Sequence, residues 1–212
     1  RAVNIGLVNE LALICDLLDI DVWEVVEAAK TKPFGFMPFQ PGPGIGGHCL
    51  PVDPLYLSWK LKTINYTARF IELASAINAG MPAFVVDKVG DALNDDCKSV
   101  NGSRVVLFGV AYKKDVGDTR ESPAYEIVEL LRRKGARVDF VDPHVPSLEM
   151  ADGALEAYDP ENGFAGFDCA VIVTDHTAFD YEKLMGECAV IIDARNATAG
   201  LPVPLGCRVV KL

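Results

Sequence analysis

From residue 101 onward, short apolar segments alternate with helical ones, and this alternation constrains the fold more than any other feature. The predicted strands read SRVVLFGVAY, RVDFVD, FDCAVIVT, AVIID and RVVKL. Two predicted helices, SPAYEIVELLRRKG and FDYEKLMG, lie between them. Because strands that alternate with helices usually pair in parallel through right-handed crossovers, the pattern predicts a parallel sheet flanked by helices.

The residues before this region follow a helical period instead. Helices are predicted over residues 1–18, from an N-cap at Asp21 to Ala29, and over residues 67–95. Pro82 should kink or split the last of these. We therefore expect an α/β protein with an all-α first domain, residues 1–97, followed by a Rossmann-like parallel-sheet domain, residues 98–212.

The long predicted helix carries a narrow apolar seam at near-heptad spacing. Its members are Ile71, Ala74, Asn78, Met81, Val85, Lys88 and Ala92. Such a seam is typical of a homodimer contact, and an ordinary core helix fits it equally well. No apolar run approaches the ~20 residues that a membrane span needs, so no membrane partner is expected. The first helix has no capping residue, which indicates that the chain is part of a longer protein.

Composition narrows the range of partners. A net charge of −10 disfavours nucleic acid, whose binding relies on a basic protein surface. The six cysteines form no C-x-x-C pair, so neither a zinc ribbon nor a thioredoxin motif is present and no metal is expected. Their scatter through apolar segments is typical of reduced thiols in a cytoplasmic protein.

Residues 31–54 hold six prolines and five glycines, which excludes regular structure and indicates a shaped, functional loop. Cys49 follows a run of four glycines and precedes Asp53 and Pro54, the predicted N-cap and first residue of a helix. A thiol ahead of a helix N-terminus gains thiolate character and becomes nucleophilic. A buried, inert cysteine in a tight loop fits the spacing equally well.

A second polar segment, AYKKDVGDTRESPA, lies between a predicted strand end and a helix start. It places Lys113, Lys114 and Arg120 where open α/β sheets bind ligands and where helix N-termini favour phosphate. A solvated charged loop is the alternative. No G-x-G-x-x-G follows an opening strand, so the predicted sheet domain has no dinucleotide fingerprint.

The segment PGPGIGGHCLPVDP resembles the catalytic-cysteine motif of the UDP-glucose/GDP-mannose dehydrogenase family, G-x-G-G-x-C followed four residues later by Asp. The matching positions are Gly44, Gly46, Gly47, Cys49 and Asp53. The surrounding residues are similar to the branch that acts on UDP-N-acetylhexosamines, with UDP-N-acetylglucosamine as the expected sugar. His48 and Val52 depart from the UDP-glucose pattern, which has serine and lysine there.

The resemblance implies oxidation at C6 of the sugar by two NAD, through a thioester on Cys49 that water hydrolyses with help from Asp53. It implies that Lys113 contacts the nucleotide-sugar, that Arg120 reaches NAD, and that Arg195 reaches substrate from a neighbouring subunit. Other implied substrate contacts are Arg1, Phe39, Gly44, Gly46 and Gly47. His48 is expected to shape the loop or touch the sugar, with its ring pointing away from the thiol. His144 and His176 are expected to be ordinary turn residues.

The resemblance covers the family's central helical domain, expected to dimerise, and its UDP-binding domain. The domain that binds most of NAD would lie upstream, so the 212-residue chain alone is expected to be inactive. UDP-N-acetylmannosamine and UDP-glucose are alternative substrates. A non-catalytic nucleotide-binding or assembly module is an alternative of another class, and an enzyme like 6-phosphogluconate dehydrogenase is disfavoured because its chemistry does not use a cysteine.

Overall fold

The computed structural model describes residues 1–212, and its first part is helical. The helices are α1 (Ala2–Leu17), α2 (Val22–Lys30), α3 (Asp53–Lys62) and α4 (Arg69–Asp95). The predicted N-cap of α2 is confirmed, because the carboxylate of Asp21 accepts the backbone N–H of Trp23. The residues between α2 and α3 form an irregular loop, as predicted.

The second part is an α/β domain. Its elements are β1 (Arg104–Phe108), α5 (Pro123–Arg133), β2 (Arg137–Val141), β3 (Ser147–Met150), β4 (Gly153–Glu156), β5 (Cys169–Ile172), α6 (Tyr181–Glu187), β6 (Val190–Asp193) and β7 (Arg208–Lys211). Five strands form a parallel sheet in the order β2-β1-β5-β6-β7. The predicted fold class, a helical region followed by a Rossmann-like parallel sheet, is confirmed.

The strands β3 and β4 were not predicted. They form a separate antiparallel hairpin in which Met150 pairs with Gly153. Each strand has only four residues, which is too short for an alternating apolar pattern to stand out. The Asp-Gly pair at residues 152–153 is the turn signal that could have revealed the hairpin.

Alternate residues of the central strands face two separate cores. Val105 and Leu107 of β1 pack beneath α4 and α5, whereas Val106 and Phe108 join a cluster that includes α6. The core beneath α4 contains Met81, Val85, Val86, Val89, Ala92 and Leu93 of that helix. The C-terminal half of α4 is therefore part of the core of the sheet, and the domain division at residue 97 stays a prediction.

The apolar seam predicted on α4 is mostly buried within the chain itself. Ala74, Asn78, Met81, Val85 and Ala92 are buried against the chain's own elements. They are therefore not available as a dimer contact, because α1, α5 and the sheet already cover them. The helix passes through Pro82 without being split, contrary to one of the two expectations for that proline.

One helix, α4, is long and apolar enough to cross a membrane by length and composition alone. The expectation that no segment meets this criterion was therefore wrong. Since α4 packs on α1, on α5 and on the sheet, the structure uses its apolar residues in the protein core.

Candidate active site

The glycine-rich loop, residues 41–54 and hereafter the cysteine loop, is tied to the helical part by a buried pair of asparagines. Asn9 of α1 donates to the Oδ1 of Asn78 of α4 over 2.8 Å. The Oδ1 of Asn9 accepts the backbone N–H of Gly42 at 2.9 Å. Because both amides are almost fully buried, the satisfied pair fixes where the loop begins. Sequence reasoning assigned no role to Asn9.

The middle of the cysteine loop packs on the turn that follows β1. Gly47 has a φ of +92°, and a Cβ there would lie 2.8 Å from the ring of Tyr112. Its backbone N–H donates to the carbonyl of Arg120 at 2.9 Å. A residue with a side chain would force the ring away, so the approach of Cys49 to the basic segment depends on glycine here.

The thiol of Cys49 is exposed, and it lines an open cleft of about 470 Å³, hereafter the thiol cleft. Arg1 and Asp53 line the same cleft. Three predicted site residues therefore converge, and the alternative of a buried cysteine is excluded. Burial raises the pKa of Cys188 to about 11, whereas Cys49 is exposed to solvent.

Asp53 was predicted to cap α3, and this was wrong by one position. The helix begins at Asp53 itself, Val52 is the N-cap, and no side chain makes a capping hydrogen bond. The backbone N–H of Asp53 donates to the carbonyl of Cys49 at 2.9 Å, which holds the two residues together. The carboxylate of Asp53 is therefore exposed to the cleft rather than used in a cap.

The ring of His48 was expected to point away from the thiol, and it does not. Its Nδ1 lies 3.6 Å from the Sγ of Cys49. Asp118 and Arg120 of the turn after β1 lie nearby. The guanidinium of Arg120 lowers the pKa of Asp118 to about 2 through hydrogen bonds, and attraction to His48 adds to this in smaller part.

A second cleft, of about 280 Å³ and hereafter the basic pocket, lies at the carboxyl ends of β1, β5 and β6. Lys113, Lys114 and Arg195 line it together with Gly44 of the cysteine loop. Asp175 keeps two of the cations in place, with its oxygens 3.6 Å from Lys114 Nζ and 3.2 Å from Arg195 Nε. Three cations in an acidic chain make this pocket suited to an anion.

Arg195 reaches the cysteine loop of its own chain. A Cβ on Gly42 would lie 2.7 Å from the NH1 of Arg195. Arg195 thus contacts the cysteine loop of its own chain, and its expected contact with the substrate of a neighbouring subunit stays a prediction. A third cleft, of about 390 Å³, shares Gly44 with the basic pocket and Leu50 with the thiol cleft. The cysteine loop thus contributes lining residues to all three clefts.

A buried carboxylate supports the basic pocket from below. Asp142 accepts the backbone N–H groups of Val110 and Ala111, at 2.7 and 3.2 Å, and faces the Nε2 of His176 at 3.0 Å. Burial raises the pKa of Asp142, but the hydrogen bonds from His176 and the backbone outweigh it, so the net pKa is lowered. His176 was expected to be an ordinary turn residue, and its fully buried ring shows that this was wrong.

A possible metal site also involves His176. Ligand atoms of Asp115, His144 and His176 lie within 4.8 Å of one another. However, the Nδ1 of His176 accepts the backbone N–H of Asp115 at 3.0 Å, and its Nε2 faces Asp142. With both ring nitrogens engaged, His176 has no free lone pair for a cation, and the cluster serves to join three loops.

Two predicted site residues lie apart from the clefts. Phe39 packs against the helical cluster that contains Val8 and Trp23, and it lines neither the thiol cleft nor the basic pocket. Arg120 is exposed and paired with Asp118. Because α5 begins only at Pro123, well after β1 ends, no tight strand-to-helix turn of the dinucleotide-binding kind follows β1, and contact of Arg120 with NAD stays a prediction.

These features define an α/β protein that combines an anion pocket at the carboxyl edge of a parallel sheet with an accessible thiol. Sequence models of a single family match both parts of the chain. The central-domain model matches residues 1–80, and the UDP binding domain model matches residues 106–200. The chain belongs to the UDP-glucose/GDP-mannose dehydrogenase family.

Individual relatives agree with this assignment. A UDP-N-acetyl-D-mannosamine dehydrogenase of Methanococcus maripaludis is 37% identical over 179 residues, which are 84% of this chain and 39% of that protein. A UDP-N-acetyl-D-glucosamine 6-dehydrogenase of Pseudomonas aeruginosa is 36% identical over 185 residues, 84% of this chain and 42% of that protein. The solved structure of a UDP-D-ManNAc dehydrogenase from Pyrococcus horikoshii has a TM-score of 0.84 at 34% identity, and the match covers all of this chain and 48% of that one. The chain thus spans less than half the length of these relatives.

Proposed function

We propose that the chain forms the central and UDP-binding parts of an NAD-dependent nucleotide-sugar 6-dehydrogenase, which oxidises the C6 alcohol of a UDP-N-acetylhexosamine to the uronate. The observation that carries the proposal is that one loop contributes Cys49 to the thiol cleft and Gly44 to the basic pocket. The exposed sulfur and the three cations suit the reacting carbon and the diphosphate of one nucleotide-sugar.

In this proposal Lys113 and Arg195 bind the diphosphate, because paired cations bind phosphate oxygens through charge-assisted hydrogen bonds. Binding at that point places the sugar in the cleft that contains Cys49. NAD, when bound, would supply the hydride acceptor for C6, and Arg120 is the residue of this chain that would contact it. Most of the NAD contacts are assigned to parts of the enzyme beyond these 212 residues.

The thiol of Cys49 adds to the C6 aldehyde and keeps it bound as a thiohemiacetal, which is oxidised to a thioester. Asp53 is placed to orient and deprotonate the water that hydrolyses the thioester, because its carboxylate is free of any capping role. Arg1, in the same cleft, is suited to contact the sugar or stabilise negative charge on it.

The proposed sugar is UDP-N-acetylglucosamine, on the strength of the residues around Cys49. Relatives named for the gluco and manno epimers are almost equally similar, at 36% and 37% identity, so UDP-N-acetylmannosamine remains the main alternative. Steady-state rates of the complete enzyme on UDP-N-acetylglucosamine, UDP-N-acetylmannosamine and UDP-glucose separate the three.

The experiment that tests the chemistry measures NADH and uronate together. The complete enzyme should form two NADH for each sugar oxidised, and Cys49→Ala should lower uronate formation at least about 10³-fold, as expected for loss of a nucleophile. Cys97→Ala is the matched control, because that thiol is also exposed but lies outside the clefts. Normal uronate formation by Cys49→Ala would show that Cys49 is not the nucleophile. If the wild-type enzyme forms no uronate, the non-catalytic alternative, a nucleotide-binding or assembly module, is favoured.

A further inference from the structure

The ring of His48 is turned toward the sulfur of the adjacent Cys49. His48 Nδ1 and Cys49 Sγ are 3.6 Å apart, which is within hydrogen-bonding range for sulfur. Both side chains are exposed, so a proton on sulfur can pass to the ring without a buried charge. We propose that His48 is a catalytic residue that accepts the thiol proton of Cys49 when the sulfur attacks the C6 aldehyde, an inference that rests on the proposed function.

The backbone around these two residues holds the pair in place. The N–H of Gly47 donates to the carbonyl of Arg120 before the pair, and the carbonyl of Cys49 accepts the N–H of Asp53 after it. Gly46 and Gly47 both pack directly on Tyr112. These contacts fix the backbone on both sides of the pair, so His48 and Cys49 lie on one short, anchored segment.

Charged side chains of both signs surround the pair. Asp118, with its pKa lowered to about 2 mainly by Arg120, is an anion at neutral pH and lies within electrostatic range of His48. Arg120 lies within electrostatic range of Cys49, and Arg1 lines the cleft of the thiol. Asp53 is the one carboxylate that lines the thiol cleft and opposes the thiolate.

The step balances without a further reagent. The S–H bond of Cys49 breaks and its proton moves to His48 Nδ1, while a sulfur electron pair forms the S–C6 bond. The C6=O electron pair moves to oxygen, and the imidazolium returns the proton to that oxygen. The product is the neutral thiohemiacetal, and His48 ends as it began.

The first test uses the 212-residue protein and iodoacetamide, with each cysteine followed by peptide mass spectrometry. Cys97 is the internal control, since it is exposed and has no histidine contact. An unassisted thiol is only a few per cent ionised at pH 7, so Cys49 should react about tenfold faster than Cys97. His48→Asn keeps a hydrogen-bonding nitrogen but takes up no proton, and it should lower the Cys49 rate about tenfold while leaving the Cys97 rate unchanged.

The second test uses the complete enzyme. His48→Asn should lower kcat at pH 7 by about 10²-fold, the low end for a general base, with KM changed little. The loss should shrink as pH rises above about 8.5, where a thiol ionises unaided, whereas a purely structural role predicts the same loss at every pH. Equal Cys49 alkylation rates in the wild type and His48→Asn, or a pH-independent loss of kcat, would overturn the role of His48. If the wild-type complete enzyme forms no uronate from any of the three sugars, the proposed function itself fails, whatever the alkylation of Cys49 shows.

Discussion

At the scale of single residues, the site separates into a reacting end and a binding end. The sulfur of Cys49 and the carboxylate of Asp53 share one cleft, and neither is engaged in a structural hydrogen bond through its side chain apart from the contact of the thiol with His48. Lys113 and Arg195 share the other cleft, where Asp175 orders the guanidinium. This separation allows the two ends to be tested independently.

Arg195 is the residue whose loss should weaken nucleotide binding most clearly. Arg195→Ala is expected to weaken UDP binding to the 212-residue protein by about 10- to 100-fold, because a charge-assisted hydrogen bond contributes roughly 1.5–3 kcal/mol. Isothermal titration calorimetry measures the change. Arg133→Ala is the control, since that exposed arginine of α5 pairs only with Glu129. Equal weakening by both variants would indicate a general effect of charge rather than a site.

At the scale of elements, loops that follow strands and helices are locked together by close backbone contacts. The cysteine loop begins at Gly42 on the Asn9–Asn78 pair and crosses the turn after β1 at Gly47. Asp142 holds that turn from below, because it accepts two backbone N–H groups of the residues that follow β1. The positions of Cys49 and Lys113 therefore depend on residues that touch no substrate.

Gly47 should be the least replaceable residue of the cysteine loop. Gly47→Ala places a methyl group against the ring of Tyr112 at positive φ, and should destabilise the protein by about 1–2 kcal/mol or more. It should also weaken UDP binding, because Tyr112 precedes Lys113. Urea unfolding and calorimetry measure the two effects. Gly80→Ala, in an open position on α4, should instead stabilise by about 0.5–1 kcal/mol; similar effects of both variants would contradict this account.

Asp142 should give the fold a distinct acid sensitivity. The pKa of Asp142 in the folded chain is lower than the usual value of 3.8. Its contribution to the free energy of unfolding is therefore fully present above that value and is lost as pH falls through the lowered pKa. Asp142→Asn should cost roughly 2–3 kcal/mol at pH 6, because hydrogen bonds to a buried charge are lost. The difference in unfolding free energy between Asp142→Asn and the wild type should narrow toward pH 3.

Urea unfolding at several pH values measures this gap. Asp152→Asn is the matched control, because its carboxylate is exposed in its pair with Arg132 and should contribute little at any pH. A gap between wild type and Asp142→Asn that stays constant from pH 6 to pH 3 would show that the carboxylate acts by shape alone.

The sequence was sufficient for elements whose signal is local, and insufficient where partners are distant. Runs of β-branched residues predicted all five strands of the sheet, and the glycine run predicted an irregular loop at Cys49. The partner of Asn9 lies 69 positions away, and the ring of His176 is buried by loops from three strands. His48 lies on a segment whose backbone is anchored at Arg120 and Asp53, so adjacency to Cys49 in sequence alone could not reveal where its ring points.

At the scale of the whole molecule, the helical part leaves large apolar side chains exposed. Leu7 and Leu17 of α1 and Phe70 and Leu73 of α4 are exposed, at 55%, 86%, 77% and 55%. Exposed side chains of this size on adjoining helices are typical of a protein–protein contact. The predicted homodimer through α4 therefore stays a proposal, moved from the buried seam to these exposed residues.

Sedimentation equilibrium tests that proposal. Replacing both Phe70 and Leu73 by Glu should convert a dimer into a monomer, because two charges in an apolar interface are not compensated. Leu205→Glu is the control, since Leu205 is fully exposed on the α/β part and should leave the dimer intact. A wild-type chain that is monomeric at all concentrations would contradict the dimer.

A crystal structure of the protein with UDP-N-acetylglucosamine shows whether a single nucleotide-sugar spans both clefts. We expect C6 within about 3.5 Å of Cys49 Sγ, the distance of a near-attack geometry. We also expect diphosphate oxygens about 2.7–2.9 Å from the side-chain nitrogens of Lys113 and Arg195. A diphosphate bound outside the basic pocket, or a sugar whose C6 faces away from the sulfur, would contradict this expectation.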